Sequence, residues 1–376
     1  MFRAKTVFVV GAGASAEFGF PLGAALLDDI ARRVDISYEF GRLKRGDYTI
    51  VEALRNSLDA NANNQRYNEH LHSASQIVKS SKQGLSIDNV LDALEDEKAA
   101  LVGKFGIVRS ILAAEESSPL SQWIDHFPEQ IDISSFSNTW LDGLTKILIE
   151  GRRKSQIENI FENLTIINFN YDRVIEHYLP FAISNFYGLK TEAVREVMSR
   201  LPIYRPYGKA GTLPWERSDG AVKFGHCSAD DMAVATSQIL TFTEQVEDTN
   251  LVDGIRGAVK AADRIVFVGF GFHRQNLDLM ACAASKHVGI FGTSFGMSKS
   301  DTMTVSEDLE KLFGLDEYQT HRDHDYTKLY PLKCSDFVSE IRRTLTSYAS
   351  EDPTWELPDF SEPRTPSIPS LSFGNR

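Results

Sequence analysis

Cysteine is scarce in this sequence: Cys227, Cys282 and Cys334 are the three thiols among 376 residues. They are too few and too scattered for a Cys-x-x-Cys pair, which excludes a structural zinc knot and a disulfide framework and leaves reduced thiols in a cytoplasmic setting as the expectation. Long hydrophobic runs are also missing, with no apolar stretch of roughly 18 residues or more. Met1 to Lys5 pass straight into an apolar strand, so neither secretion nor a membrane span is expected. Positive charge is in deficit. With 40 Lys plus Arg against 52 Asp plus Glu the formal charge is −12, which argues against a broad electrostatic grip on nucleic acid.

Hydrophobic residues make up 42% of the chain and charged residues 24%, the balance of a globular protein. The length allows one large domain or two ordinary ones, and no internal repeat is visible. Val7-Phe8-Val9-Val10 is a continuous apolar run that opens into Gly11-Ala12-Gly13-Ala14-Ser15, as a buried parallel strand followed by a tight turn would. Further strands are expected at Leu164 to Ile167, Ile239 to Phe242, Arg264 to Val268 and Val288 to Phe291. Strands alternating with helices predict an α/β doubly wound, Rossmann-like parallel sheet whose ligand lies beyond the carboxyl ends of the strands.

The spacing between these strands predicts the domain plan. Residues 1–21 and 152–348 form the sheet domain, and 22–151 is a large helical insertion. Within it Ser86 caps a helix whose apolar face is Ile87, Val90, Leu91 and Leu94. A last helix is expected over Ser335 to Tyr348, and the Pro- and Ser-rich stretch 349–376 has too little apolar material to fold alone. An insertion of ~130 residues exceeds what one sheet needs for cover, so a homo-oligomer or partner interface is expected there.

Gly11 to Ala16 formally match G-x-G-x-x-A, whose glycines let backbone approach a pyrophosphate and present N–H groups to it. In an ordinary dinucleotide fold the helix would continue from this turn, but Gly19-Phe20-Pro21 interrupts it. G-A-G-A-S followed by G-F-P resembles the first signature of sirtuin-type NAD-binding domains. Asn168-Phe169-Asn170-Tyr171-Asp172 is similar to the sirtuin T-Q-N-I-D segment, and Gly269 to Asn276 resembles the G-[FY]-G-F-x-x-x-N segment of sirtuin-like defence effectors. Ser86-Ile87-Asp88 also resembles a helical element of that group.

These blocks span residues 5–290, and the large insertion without zinc cysteines looks like the bacterial antiviral NADases, including the sirtuin-like partner subunits of HerA-type ATPases. The resemblance implies NAD as substrate or ligand, bound by Gly11, Ala12, Gly13, Ser15, Phe20, Pro21, Asn170, Asp172, Gly269, Gly271 and Asn276, with no zinc or other metal. It implies hydrolysis of NAD to nicotinamide and ADP-ribose, control by oligomerisation and an ATPase partner, and no direct contact with nucleic acid or membrane. Protein deacylation would need a zinc module that three scattered cysteines cannot build.

Glycosidic cleavage passes through an oxocarbenium-like sugar that needs a positioned water in a dry pocket. The Asn170 amide is expected to accept from and donate to that water, and Asp172 to fix the carboxamide or its loop. Both residues also fit an Asx turn after a strand. Where the family carries a catalytic His, this chain has Tyr207 before Gly208, and a phenol is a poor base at neutral pH. His273 and His226 are the imidazoles able to replace it; a catalytically silent NAD- or ADP-ribose-binding scaffold is the alternative. Asn276 either caps the helix after the glycine-rich loop or meets a ribose. His321 to Asp325 fits an exposed polar loop better than a metal site. Trp140, Phe161, Phe181, Phe186 and Tyr187 are expected to fill core.

Overall fold

The computed structural model describes residues 1–58, 64–121, 131–241, 244, 249–315 and 326–348. Five consecutive buried residues, Thr6–Val10, form β1. The chain then makes a four-residue helical turn, Ala12–Ser15, and a 3-10 turn, Ala16–Phe18, and stops at Gly19 with φ 86°. Glycine suits that left-handed position because it has no Cβ to meet the backbone. The break expected from Gly19-Phe20-Pro21 is therefore present.

In the insertion, Gly23–Val34, Tyr48–Ser57, Asn64–Ser80 and Ile87–Leu94 are helices gathered around a fifth, Glu97–Ser117. Val102, Phe105, Ile107, Val108 and Leu112 of the fifth are buried, as a helix surrounded by others requires. Ser86 caps Ile87–Leu94, its hydroxyl accepting from the Asn89 N–H at 3.1 Å. The segment is not purely helical. Ser37–Glu39 and Arg42–Arg45 pair antiparallel as β2 and β3, with both turn residues left-handed, Phe40 at φ 50° and Gly41 at φ 77°. That geometry matches the strand twist in a two-residue hairpin.

Leu164–Asn168 forms β4, Ile203–Tyr204 β5, Arg264–Val268 β6, Gly289–Thr293 β7 and Thr327–Tyr330 β8. With β1 they build a six-stranded sheet in the order β5-β4-β1-β6-β7-β8, every pair parallel. This is the doubly wound Rossmann-type order, in which the chain starts in the middle and winds outward both ways. Helices flank the sheet, and Trp140–Ile149 packs against Val174–Tyr187 and Cys334–Glu340.

Several expectations need correction. Ile239 to Leu240 is not a strand; Ile239 makes a single antiparallel bridge with Gly208, and Phe242 lies outside the described residues. A short apolar run between helices satisfies burial equally well as an irregular segment. One edge of the sheet is instead β5, two residues long. The last helix is two, Cys334–Glu340 and Arg342–Thr346. Trp140, Phe161 and Phe181 are core, but Phe186 is 56% exposed. His321 to Asp325 and 349–376 lie outside the described residues. Among the described residues, no helix is long and apolar enough to cross a membrane and no group of His, Cys, Asp and Glu could hold a metal ion.

Candidate functional site

A cavity of about 860 Å³ opens beyond the carboxyl ends of β1, β4, β6, β7 and β8, roofed by the start of the Ile87–Leu94 helix. β1 lies between β4 and β6, so this is the point where the winding reverses and where doubly wound sheets bind ligands. Its volume is in the range of cofactor sites. Gly11, Ala12, Gly13, Ser15, Phe20 and Pro21 line it from the β1 side, and Asn170, Asp172 and Tyr207 from the β4 side. Gly269, Gly271, His273 and Asn276 line it after β6. His226 does not reach it: the ring is exposed and pairs with Asp231 at 2.7 Å.

The β1 and β6 loops touch backbone to backbone. A Cβ on Gly13 would stand 2.8 Å from Gly269 Cα, and one on Gly269, whose φ is +59°, would stand 2.1 Å from the Ala14 nitrogen. Gly11 N–H donates to Val268 O at 3.0 Å and Gly13 N–H to Gly269 O at 2.9 Å. These amides are therefore not available to a pyrophosphate, contrary to the expectation for a G-x-G motif. The glycines are required by the crossing of two loops. Gly271 is different, since its added Cβ would meet only the His273 ring, at 3.1 Å.

From behind, the Trp140 indole N–H donates to Ala14 O at 2.9 Å, while Glu17 accepts from the backbone N–H of Trp140 at 2.7 Å and of Ser335 at 2.8 Å. The glycine loop is thus tied to two helices of the sheet's cover. Burial pushes the Glu17 carboxyl above the usual carboxylate range despite those donors.

The floor is a buried polar cluster. Asn168 Oδ1 accepts from Asn170 N–H at 3.0 Å, and Asp172 Oδ1 from Val174 N–H at 3.1 Å, both Asx turns that follow β4. Asn170 Nδ2 donates to Gly11 O and to Ser15 Oγ, each at 2.9 Å. Ser15 Oγ donates onward to Asp172 Oδ2 at 2.6 Å. Because Gly11 O can only accept, the amide orientation is fixed. Both Nδ2 hydrogens are committed, so Asn170 cannot donate to a water as expected; Oδ1 is its remaining group, an acceptor. Burial raises the Asp172 carboxyl above its ordinary range, opposed by Ser15 and Arg205.

Arg205 clamps this floor from outside the cavity. Its guanidinium holds Glu176 with two contacts, at 2.9 and 2.6 Å, and donates to the Asn170 and Asp172 carbonyls at 2.9 and 3.0 Å. Next to it, Arg173 and Glu115 form a fully buried pair joining the central insertion helix to the end of β4, and Arg173 also donates to Val222 O at 2.6 Å.

Tyr207 is buried, and its hydroxyl donates to Asn276 Oδ1 at 2.6 Å. Desolvation lifts this phenol well above its ordinary value, which removes it further from base chemistry. Asn276 is inside the helix Arg274–Met280, which begins after His273 with no side-chain cap, so its amide fastens Tyr207 and is not a cap. His273 lines the cavity as an exposed residue. The residue before it, Phe272, has φ 53°, a left-handed conformation unfavourable for an aromatic.

Two contributors were given no role at the site by the sequence. Tyr171 donates its hydroxyl to Asp88 Oδ1 at 2.6 Å, which brings a carboxylate of the insertion into the cavity. Trp140 is the other. The Ser86-Ile87-Asp88 block pointed to the helix but not to this contact. No protein-family model matches the chain, and no curated protein matches it in sequence. The class established by the fold is a doubly wound α/β protein with a switch-point cavity.

Proposed function

We propose that the chain is a sirtuin-like effector that binds NAD in the switch-point cavity and hydrolyses it to nicotinamide and ADP-ribose. The reading rests above all on the floor, where the two segments similar to sirtuin signatures meet through the Ser15, Asn170 and Asp172 hydrogen bonds. Asn170 Oδ1, held rigid by its committed Nδ2, accepts a hydrogen from the attacking water. The ordered amide contributes position, and the low-dielectric floor excludes competing solvent. His273 is the one imidazole lining the cavity among the described residues and takes the water's proton.

In the cell this activity belongs to antiviral defence, with the helical insertion as the assembly surface for further copies of the chain and for a HerA-type ATPase. Light scattering on the purified chain tests the first of these; a monomer at micromolar concentration would remove it.

Incubation of the full chain with NAD, read by chromatography of nicotinamide, tests the reaction. Asn170→Ala is expected to reduce release by about a hundredfold or more. It also deletes two buried hydrogen bonds, worth about 2 kcal/mol together, so the variant is assayed well below its melting temperature. Release at the wild-type rate would end the Asn170 assignment.

A second reading, a silent NAD- or ADP-ribose-binding scaffold, is favoured by one observation: the Tyr207 hydroxyl at the usual histidine position is committed to Asn276. Calorimetric binding of ADP-ribose without nicotinamide release, with and without the ATPase, would select it.

A further inference from the structure

Among the described residues, three carboxylates line the cavity: Glu17, Asp88 and Asp172. Two are already occupied. Glu17 accepts from the backbone N–H of Trp140 and Ser335, and both oxygens of Asp172 are engaged, by Val174 N–H and Ser15 Oγ. Asp88 is different: Oδ1 takes the Tyr171 hydroxyl at 2.6 Å, and a carboxylate has about four acceptor positions. Asp88 is also half-buried, where Asp172 is 3% exposed, so a molecule in the cavity can reach it.

Its placement is firm. Asp88 stands in the first turn of Ile87–Leu94, a helix capped by Ser86. The buried Tyr171 ring packs 6.0 Å from that of Tyr207, and Tyr171 is the chain neighbour of both Asn170 and Asp172. The hydroxyl therefore fixes the carboxylate relative to the floor. His273 lines the same cavity from the β6 side. Desolvation raises the Asp88 carboxyl above its ordinary range, opposed by the Tyr171 hydrogen bond.

We propose that Asp88 is a further catalytic residue of this cavity, whose carboxylate accepts a hydroxyl of the nicotinamide-bearing ribose and stabilises positive charge on that sugar as the glycosidic bond breaks. The inference rests on the NAD-hydrolysing reading above. In the step, the C1′–N bond breaks with its electron pair passing to the nicotinamide nitrogen, which becomes neutral. The water oxygen bonds to C1′, and the water's proton leaves to His273 or to bulk water. Charge grows on the sugar only during this event, so the carboxylate strengthens its contact in the transition state more than in the bound ground state. The insertion thereby completes the reaction centre as well as covering it.

Asp88→Asn keeps the shape and the acceptor for Tyr171 but removes the charge. Expected is a fall in kcat of about a hundredfold with Kd for NAD, measured by calorimetry, within about fivefold of wild type. Tyr171→Phe, which frees the carboxylate to move, is expected to lower kcat less. If Asp88→Asn turns over as wild type does, or if binding and turnover fall by the same factor with a lowered melting temperature, the assignment is overturned and Asp88 is a structural acceptor. NAD binding without turnover in the wild type also overturns it while leaving the cavity's ligand intact. Failure of the wild type to bind NAD or ADP-ribose at all removes the underlying reading.

Discussion

Gly269→Ala is the sharpest test of how the two central loops meet. A side chain there has two independent penalties. At φ +59° an L-residue loses roughly 1–2 kcal/mol relative to glycine. The added Cβ also falls 2.1 Å from the Ala14 nitrogen and 2.4 Å from the Gly13 carbonyl carbon, both backbone atoms that cannot rotate away. Relieving such overlap means parting the loops, typically about 1–3 kcal/mol, and this strains the Gly13 N–H to Gly269 O bond of 2.9 Å and the Gly269 N–H to Thr293 Oγ1 bond of 2.9 Å. The sum is on the order of 2–5 kcal/mol, or a melting temperature lower by about 3–6 °C for a chain of this size.

Gly271→Ala is the internal control. Its backbone is not left-handed and its Cβ meets only the His273 ring, so it is expected to stay within about 0.5 kcal/mol of wild type. Thermal unfolding followed by circular dichroism reads both. A Gly269→Ala protein melting within about 2 °C of wild type would refute the close-approach argument. Equal loss in the two variants would show that the whole loop is sensitive and that no particular contact decides it.

Acid sensitivity follows from His177, whose ring stacks on Phe224 at 3.8 Å and bonds Leu120 O at 3.1 Å. Desolvation holds its pKa down at about 3, whereas the unfolded chain protonates it near 6.5. Unfolding therefore takes up a proton between those values, and stability falls on acidification by up to ~1.4 kcal/mol per pH unit. His177→Phe should flatten the slope of urea-unfolding free energy between pH 6 and 4; an unaltered slope would exonerate the histidine. For the buried Arg173 and Glu115 pair, Arg173→Met alone leaves an uncompensated carboxylate, expected to destabilise by about 3–5 kcal/mol. Adding Glu115→Leu should restore much of it, and a double variant as unstable as the single one would show that Arg173 acts through its carbonyl contacts instead.

Much of the architecture was legible in the chain because its causes are local. The run Thr6–Val10 and the run 265–268 lie in buried strands because uninterrupted β-branched and aromatic residues suit a sheet covered on both faces. Gly19 and Pro21 stop the first helix by backbone sterics alone, and Ser86 caps its helix by a bond to a residue three positions away. Alternation of strands and helices then leaves few topologies besides a doubly wound sheet. The short strands β5 and β8 were not visible, since two to four residues carry no measurable period.

Only the tertiary structure decided what the site residues do. The G-x-G spacing reads as a phosphate cradle, yet Gly11 and Gly13 give their amides to Val268 and Gly269, residues brought adjacent by β1 pairing with β6. Asn170 looked free to handle water on both sides, but its donors go to Gly11 and Ser15, more than 150 positions earlier. Asp88 reaches Tyr171 across 83 residues, and Trp140 reaches Ala14 across 126. Such pairings obey donor and acceptor geometry between distant segments, and a linear sequence carries no periodic trace of that geometry. Propensity, patterning and backbone sterics act over a few residues and specify the elements; the partners of a buried polar group are chosen by whatever the fold sets beside it.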